Sequence, residues 1–168
     1  MALDPTDVKA IKPDMLAPAE IEAKAQTLAQ GKATMDLVPM FALAMLAGMF
    51  IACGATLFTL VQGDTEIPFI AKRLLGGACF SVGLMMVVAC GSELFTGNTL
   101  MTNALFSKKI GVAGLIRNWV VVWIGNLAGS LLIAAIVCGS AMAAMNGGEV
   151  GNAMTAIALS KVTPDALT

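Results

Sequence analysis

Apolar positions fall into three long stretches, set apart by short polar segments and preceded by a polar tail. The first stretch, residues 37–61, carries no charge over 25 residues, which is enough to cross a bilayer with some tilt. The second runs from Leu74 to Phe106, 33 residues in which Glu93 is the only charged one. As one straight helix it would rise about 50 Å, against a hydrocarbon core about 30 Å thick. It is too long for one ordinary span and too short for two with a turn. At its middle stands Gly91-Ser92-Glu93-Leu94-Phe95-Thr96-Gly97-Asn98-Thr99, where small and polar residues replace the apolar run. The pattern predicts one crossing made of two half-helices, broken at 91–99 near the midplane. Backbone is tolerated at that depth only where protein or a wet cavity surrounds it, and broken spans of this kind recur where small solutes cross. A third span is predicted over 117–145. The fold class is therefore all-α and membrane-integral, with three spans and a broken second one.

The flanking segments fill in the domain plan. Residues 1–36 form a polar tail that lacks the apolar core of a secretory signal. Within it, Pro18 to Gln30 reads as an amphipathic helix with Ile21, Ala25 and Leu28 on one face. Such a helix suits the membrane surface, with a flap over a pore mouth as the alternative. Gly48 and Ala52 in the first span, and Gly125 and Gly129 in the third, are small residues four apart that let helices approach closely. Trp119 and Trp123, one turn apart, read as an interfacial anchor. Asn146-Gly147-Gly148 ends the third helix, and residues 146–168 follow as an extracytoplasmic segment with apolar residues at helical spacing from Val150 to Ala158.

Composition narrows the chemistry. Hydrophobic residues make up 58% of the chain and charged ones 12%, about half the share of a soluble domain. There is no histidine, so no imidazole serves acid–base work or metal binding. Cys53, Cys79, Cys90 and Cys138 lie singly in apolar runs and read as buried, inert thiols. No nucleophile–base pair or metal cluster is present, so no enzyme, cofactor or metal is expected, and the net charge of −1 offers nothing to nucleic acid. Seven Lys and Arg residues (Lys9, Lys12, Lys24, Lys32, Lys108, Lys109, Arg117) fall on one side of the predicted topology and three (Lys72, Arg73, Lys161) on the other. The bias places the amino terminus in the cytoplasm of a cell whose inner membrane holds the protein.

Three stretches resemble the formate–nitrite transporter family, most closely its formate channels: Ala47 to Ala52, Ala71 to Leu84, and Cys90 to Asn98 with its Glu-Leu-Phe-Thr-Gly-Asn run. Arg117-Asn118-Trp119 and Gly125 to Gly129 continue the match. The resemblance implies a homopentamer in which each protomer has an aquaporin-like fold of two inverted halves. It places Leu94, Phe95 and Thr96 at a cytoplasmic constriction helped by Leu84, Phe80 at a narrowing nearer the outside, and Lys161 beside the outer vestibule. The family's central histidine lies in a second half. This chain corresponds to the first half and stops where a fourth span begins, so it is expected not to conduct alone.

The implied substrate is a small monovalent anion, formate first, with nitrite and hydrosulfide as further candidates, and the transport is passive or proton-coupled. A charge at the bilayer centre costs at least about 2.5–3.5 kcal/mol. Phe80, Leu84 and Leu94 would reject hydrated ions, while Thr96, Asn98 and freed loop N–H groups replace part of an anion's hydration shell. Gly91 and Gly97 support the loop, and Glu93 is expected to clamp it by accepting hydrogen bonds from loop N–H groups. Two alternatives stay open: a neutral-solute, aquaporin-like channel, and a non-conducting assembly subunit.

Overall fold

A computed structural model describes residues 16–163. The outermost parts of both predicted tails, including Lys9 and Lys12, lie outside the described residues. The architecture is all-α: α1 Pro18–Thr34, α2 Leu37–Gln62, α3 Phe69–Ala89, α4 Phe95–Asn98, α5 Met101–Phe106, α6 Val112–Gly139 and α7 Glu149–Val162, with a 3-10 segment at Ala141–Gly148 before α7. Among the described residues, α2, α3 and α6 are long and apolar enough to cross a membrane.

Helix α2 is the central post, and α3 and α6 pack against it. Small residues set both contacts. A Cβ built on Gly129 would lie 2.0 Å from the carbonyl oxygen of Met45, and one on Gly48 would lie 2.1 Å from that of Asn126, so α2 and α6 meet backbone to backbone. Gly54 and Gly83 do the same for α2 and α3. With so little side chain between the helices, the large apolar residues point outward: Leu74, Val88, Leu131 and Ile136 are all well exposed. In water such a surface would be a liability; in hydrocarbon it is the solvated face.

Hydrogen bonds sort the connections into two ends. At one end α1 lies beside α5, with Gln26 Nε2 donating to Ser107 Oγ at 2.9 Å. Arg117, near the start of α6, donates to the carbonyls of Ala33 and Met35 just beyond α1. At the other end Asn146 Nδ2 donates to the Gly63 carbonyl at 2.9 Å, and Val150 packs on Gly63 itself. The second connection begins with an Asx turn in which Asp64 Oδ1 accepts from the N–H groups of Glu66 and Ile67 at 2.8 and 2.9 Å. These two bonds hold the Asp64 carboxyl below its ordinary value.

Several boundaries and faces differ from the sequence reading. Helix α3 starts at Phe69, directly after Pro68, rather than near Leu74. The non-helical break covers residues 90–94, because Phe95–Asn98 and Met101–Phe106 resume helical turns inside the stretch read as loop. Helix α6 runs Val112–Gly139, so it starts earlier and ends sooner than 117–145, and the Asn-Gly-Gly run is a left-handed turn before α7 instead of the helix end. Helix α1 buries Gln26 and Ala29, whereas Ile21 and Leu28 are exposed. Its protein-facing side is thus partly polar, because the surface it meets offers hydrogen-bond partners. Trp119 is tied into the protein by its indole N–H, while Trp123 is exposed.

Candidate functional site

The site begins where α3 stops. Gly91 takes a left-handed φ of 59°, which glycine adopts without steric penalty. Its N–H donates to the Val88 carbonyl and that of Ser92 to the Val87 carbonyl at 3.0 Å, the paired bonds of a Schellman end. The chain then turns to meet α2, with the Glu93 N–H donating to the Leu43 carbonyl at 3.3 Å.

Two asparagines of α6 hold the loop. Asn126 Oδ1 accepts from the Phe95 N–H at 2.9 Å, and its Nδ2 donates to the carbonyls of Glu93 at 2.9 Å and Ala44 at 2.8 Å. One side chain therefore joins the loop to both α2 and α6. Two turns earlier, Asn118 Oδ1 accepts from Asn98 Nδ2 at 2.9 Å, and Trp119 Nε1 donates to the Asn98 carbonyl at 3.0 Å. Backbone groups outside a helix and buried from water need such partners.

At the centre sits the Glu93 carboxylate, 2% exposed. One oxygen accepts from Lys32 Nζ in a short ion pair, and the other accepts from Asn98 Nδ2 at 2.7 Å. Lys32 also donates to Asn98 Oδ1 at 3.0 Å. The Glu93 carboxylate bonds side chains of α1 and α4, not the loop N–H groups expected as its donors, because those N–H groups already point at Val87, Leu43 and Asn126. A buried charge needs both a counter-charge and full hydrogen bonding, and Lys32 with Asn98 supplies them.

A cavity of about 660 Å³ opens between α1, the end of α3 and the loop. Six of the residues singled out in the sequence line it: Leu84, Gly91, Glu93, Leu94, Gly97 and Asn98. Lys32 and Ser92 join them. The other four lie elsewhere. Phe95 packs edge-on to Trp119, with ring centroids 5.9 Å apart, and lines a separate groove of about 360 Å³. Phe80 is part-exposed one turn before Leu84 on α3 and does not line this cavity. Thr96 is exposed on α4, and Lys161 is exposed in the last turn of α7.

Lys32, Asn118, Trp119 and Asn126 were not among the expected site residues. For the asparagines a signal existed: two amides eight residues apart on an apolar helix share one face. For Lys32 there was none, since a lysine on a surface helix is ordinary. Chemically, the arrangement offers one neutralised carboxylate, committed amides and a cavity whose wall combines leucines with an ammonium.

The model of the family described as "Formate/nitrite transporter" matches residues 19–168. The formate channel FocA of Escherichia coli (strain K12) is 38% identical over 125 residues, covering 74% of this chain and 44% of that protein. The formate channel BtFdhC of Bacillus thuringiensis is 35% identical over 153 residues, covering 90% and 56%. Among solved structures, a pentameric formate channel with formate bound matches with a TM-score of 0.64 at 33% identity, over 75% of this chain and 50% of that one. The chain spans about half the length of these relatives.

Proposed function

Because the chain belongs to the formate/nitrite transporter family, we propose that it supplies one broken-span half of a transmembrane path for a small monovalent anion, with formate the leading substrate. The observation that carries this reading is the cavity at the break, where Leu84 and Leu94 stand beside the Lys32 ammonium. The leucines offer a hydrated ion nothing in exchange for its water, while Lys32 balances the Glu93 carboxylate that would otherwise repel an anion. The relatives described above are formate channels, which agrees with that chemistry.

In this reading the second span is broken, the fold is half of an inverted repeat, and Phe80, Leu84, Leu94, Phe95 and Thr96 narrow the path. Gly91, Glu93, Gly97 and Asn98 hold the loop, and Lys161 serves the outer vestibule. Five protomers assemble in the bacterial inner membrane. Lys32, Arg117 and the Lys108–Lys109 turn gather at the α1 end, which supports a cytoplasmic amino terminus. A cysteine placed at Ser107 should then react with thiol reagents from the cytoplasmic side only; labelling from outside intact cells would reverse the orientation.

The function is tested by flux into proteoliposomes containing a complete protomer in which this half is joined to the second half of a relative such as FocA. Formate should enter saturably and faster than urea or glycerol, and Leu94→Ala should raise leak and lower discrimination among anions. Flux indifferent to the charge of the solute would sink the anion reading in favour of a neutral-solute channel.

A further inference from the structure

The polar groups around the loop are nearly all committed. Lys32, Asn98, Asn118 and Asn126 each have protein partners, and so does the Glu93 carboxylate. The Ser92 hydroxyl is the exception. Ser92 is 8% exposed, and its Oγ has no hydrogen-bond partner among the described residues. It sits in the wall of the 660 Å³ cavity next to Glu93 and Leu94, with Lys32 in the same wall.

Buried hydroxyls are rarely left without a partner, so an orphan beside a cavity calls for a guest. We propose that Ser92 is a substrate-contacting residue whose hydroxyl donates a hydrogen bond to a small oxyanion as it passes Leu94. The inference rests on the anion-channel reading and deepens it by naming the donor at the narrow point. Three features favour the assignment. Turning an uncommitted hydroxyl toward a guest breaks no existing bond, whereas Lys32 or Asn98 would have to release Glu93. The hydroxyl is already stripped of water, so an anion meets a donor whose desolvation is complete. Glu93, the one nearby charge that would repel an anion, is neutralised by Lys32. A single donor also suits passage, because binding must be strong enough to admit the ion and weak enough to release it.

The test compares formate flux in proteoliposomes containing the same complete two-half protomer, unmodified or carrying Ser92→Ala or Ser92→Thr. A hydrogen bond to a charged partner is worth roughly tenfold or more in affinity. The half-saturating formate concentration should therefore rise about tenfold in Ser92→Ala and stay near the unmodified value in Ser92→Thr, which keeps a hydroxyl. Urea leak should be the same in all three, which excludes a misfolded loop. An unchanged half-saturation in Ser92→Ala overturns the proposal and leaves the channel reading standing. Equal shifts in both variants overturn it as well, because they assign Ser92 a packing role. Absence of formate flux from the unmodified protein removes both readings together.

Discussion

Replacing Lys32 by methionine should destabilise the protein more than replacing Glu93 by glutamine, and the double replacement should be less harmful than the first single one. The asymmetry follows from burial: the Glu93 side chain is 3% exposed and that of Lys32 28%. In Lys32→Met the carboxylate loses its counter-charge while remaining buried, with Asn98 Nδ2 as its remaining side-chain donor. Stranding a buried charge in this way costs about 3–5 kcal/mol. In Glu93→Gln the ammonium keeps Asn98 Oδ1 and can extend into the cavity, so the loss is about 1–2 kcal/mol, the scale of one charge-assisted hydrogen bond. The double variant buries no charge and should also lose about 1–2 kcal/mol, for a coupling of about 3–5 kcal/mol. Equilibrium unfolding by SDS in mixed micelles, run on all four proteins, measures each term. Additive losses, or a Lys32→Met variant no worse than Glu93→Gln, would refute the placement of Glu93 as a buried anion dependent on α1.

Gly129→Leu should separate α2 from α6, since even a Cβ at that position would lie 2.0 Å from the Met45 carbonyl oxygen; loss of folded protein on size exclusion is expected, with Leu131→Ala on the exposed face as a control. The Asx turn at Asp64 should be pH-sensitive in one direction only. A carboxyl lowered in the folded state stabilises above its unfolded value of 3.8 and loses that contribution as pH falls through the folded value, so protease cutting within residues 63–68 should be flat from neutral pH to about pH 5 and rise only in stronger acid.

The long helices were legible because a bilayer asks little beyond length and apolarity, and α2 satisfies both without interruption. The end of α3 at Gly91 was legible because a glycine followed by a serine and a carboxylate interrupts an otherwise apolar run. Which residues satisfy the break was much less so. Hydropathy counts Asn118 and Asn126 as blemishes in an apolar run and cannot say that they face the loop. Helix α1 was half legible: its apolar Ile21 and Leu28 stand on an exposed face, but no local signal says that Gln26 and Lys32 turn inward to meet Ser107 and Glu93. Long-range pairing of polar groups leaves no local period to read.

The ion pair at the loop also bears on the order in which the protein is made. Lys32 precedes Glu93 by 61 residues, so at about 5–20 residues per second the ribosome completes the cation several seconds before the anion. The amide that fixes the loop, Asn126, follows Glu93 by 33 residues. The order of synthesis therefore makes the counter-charge available before the carboxylate, and the amide that pins the loop only after it.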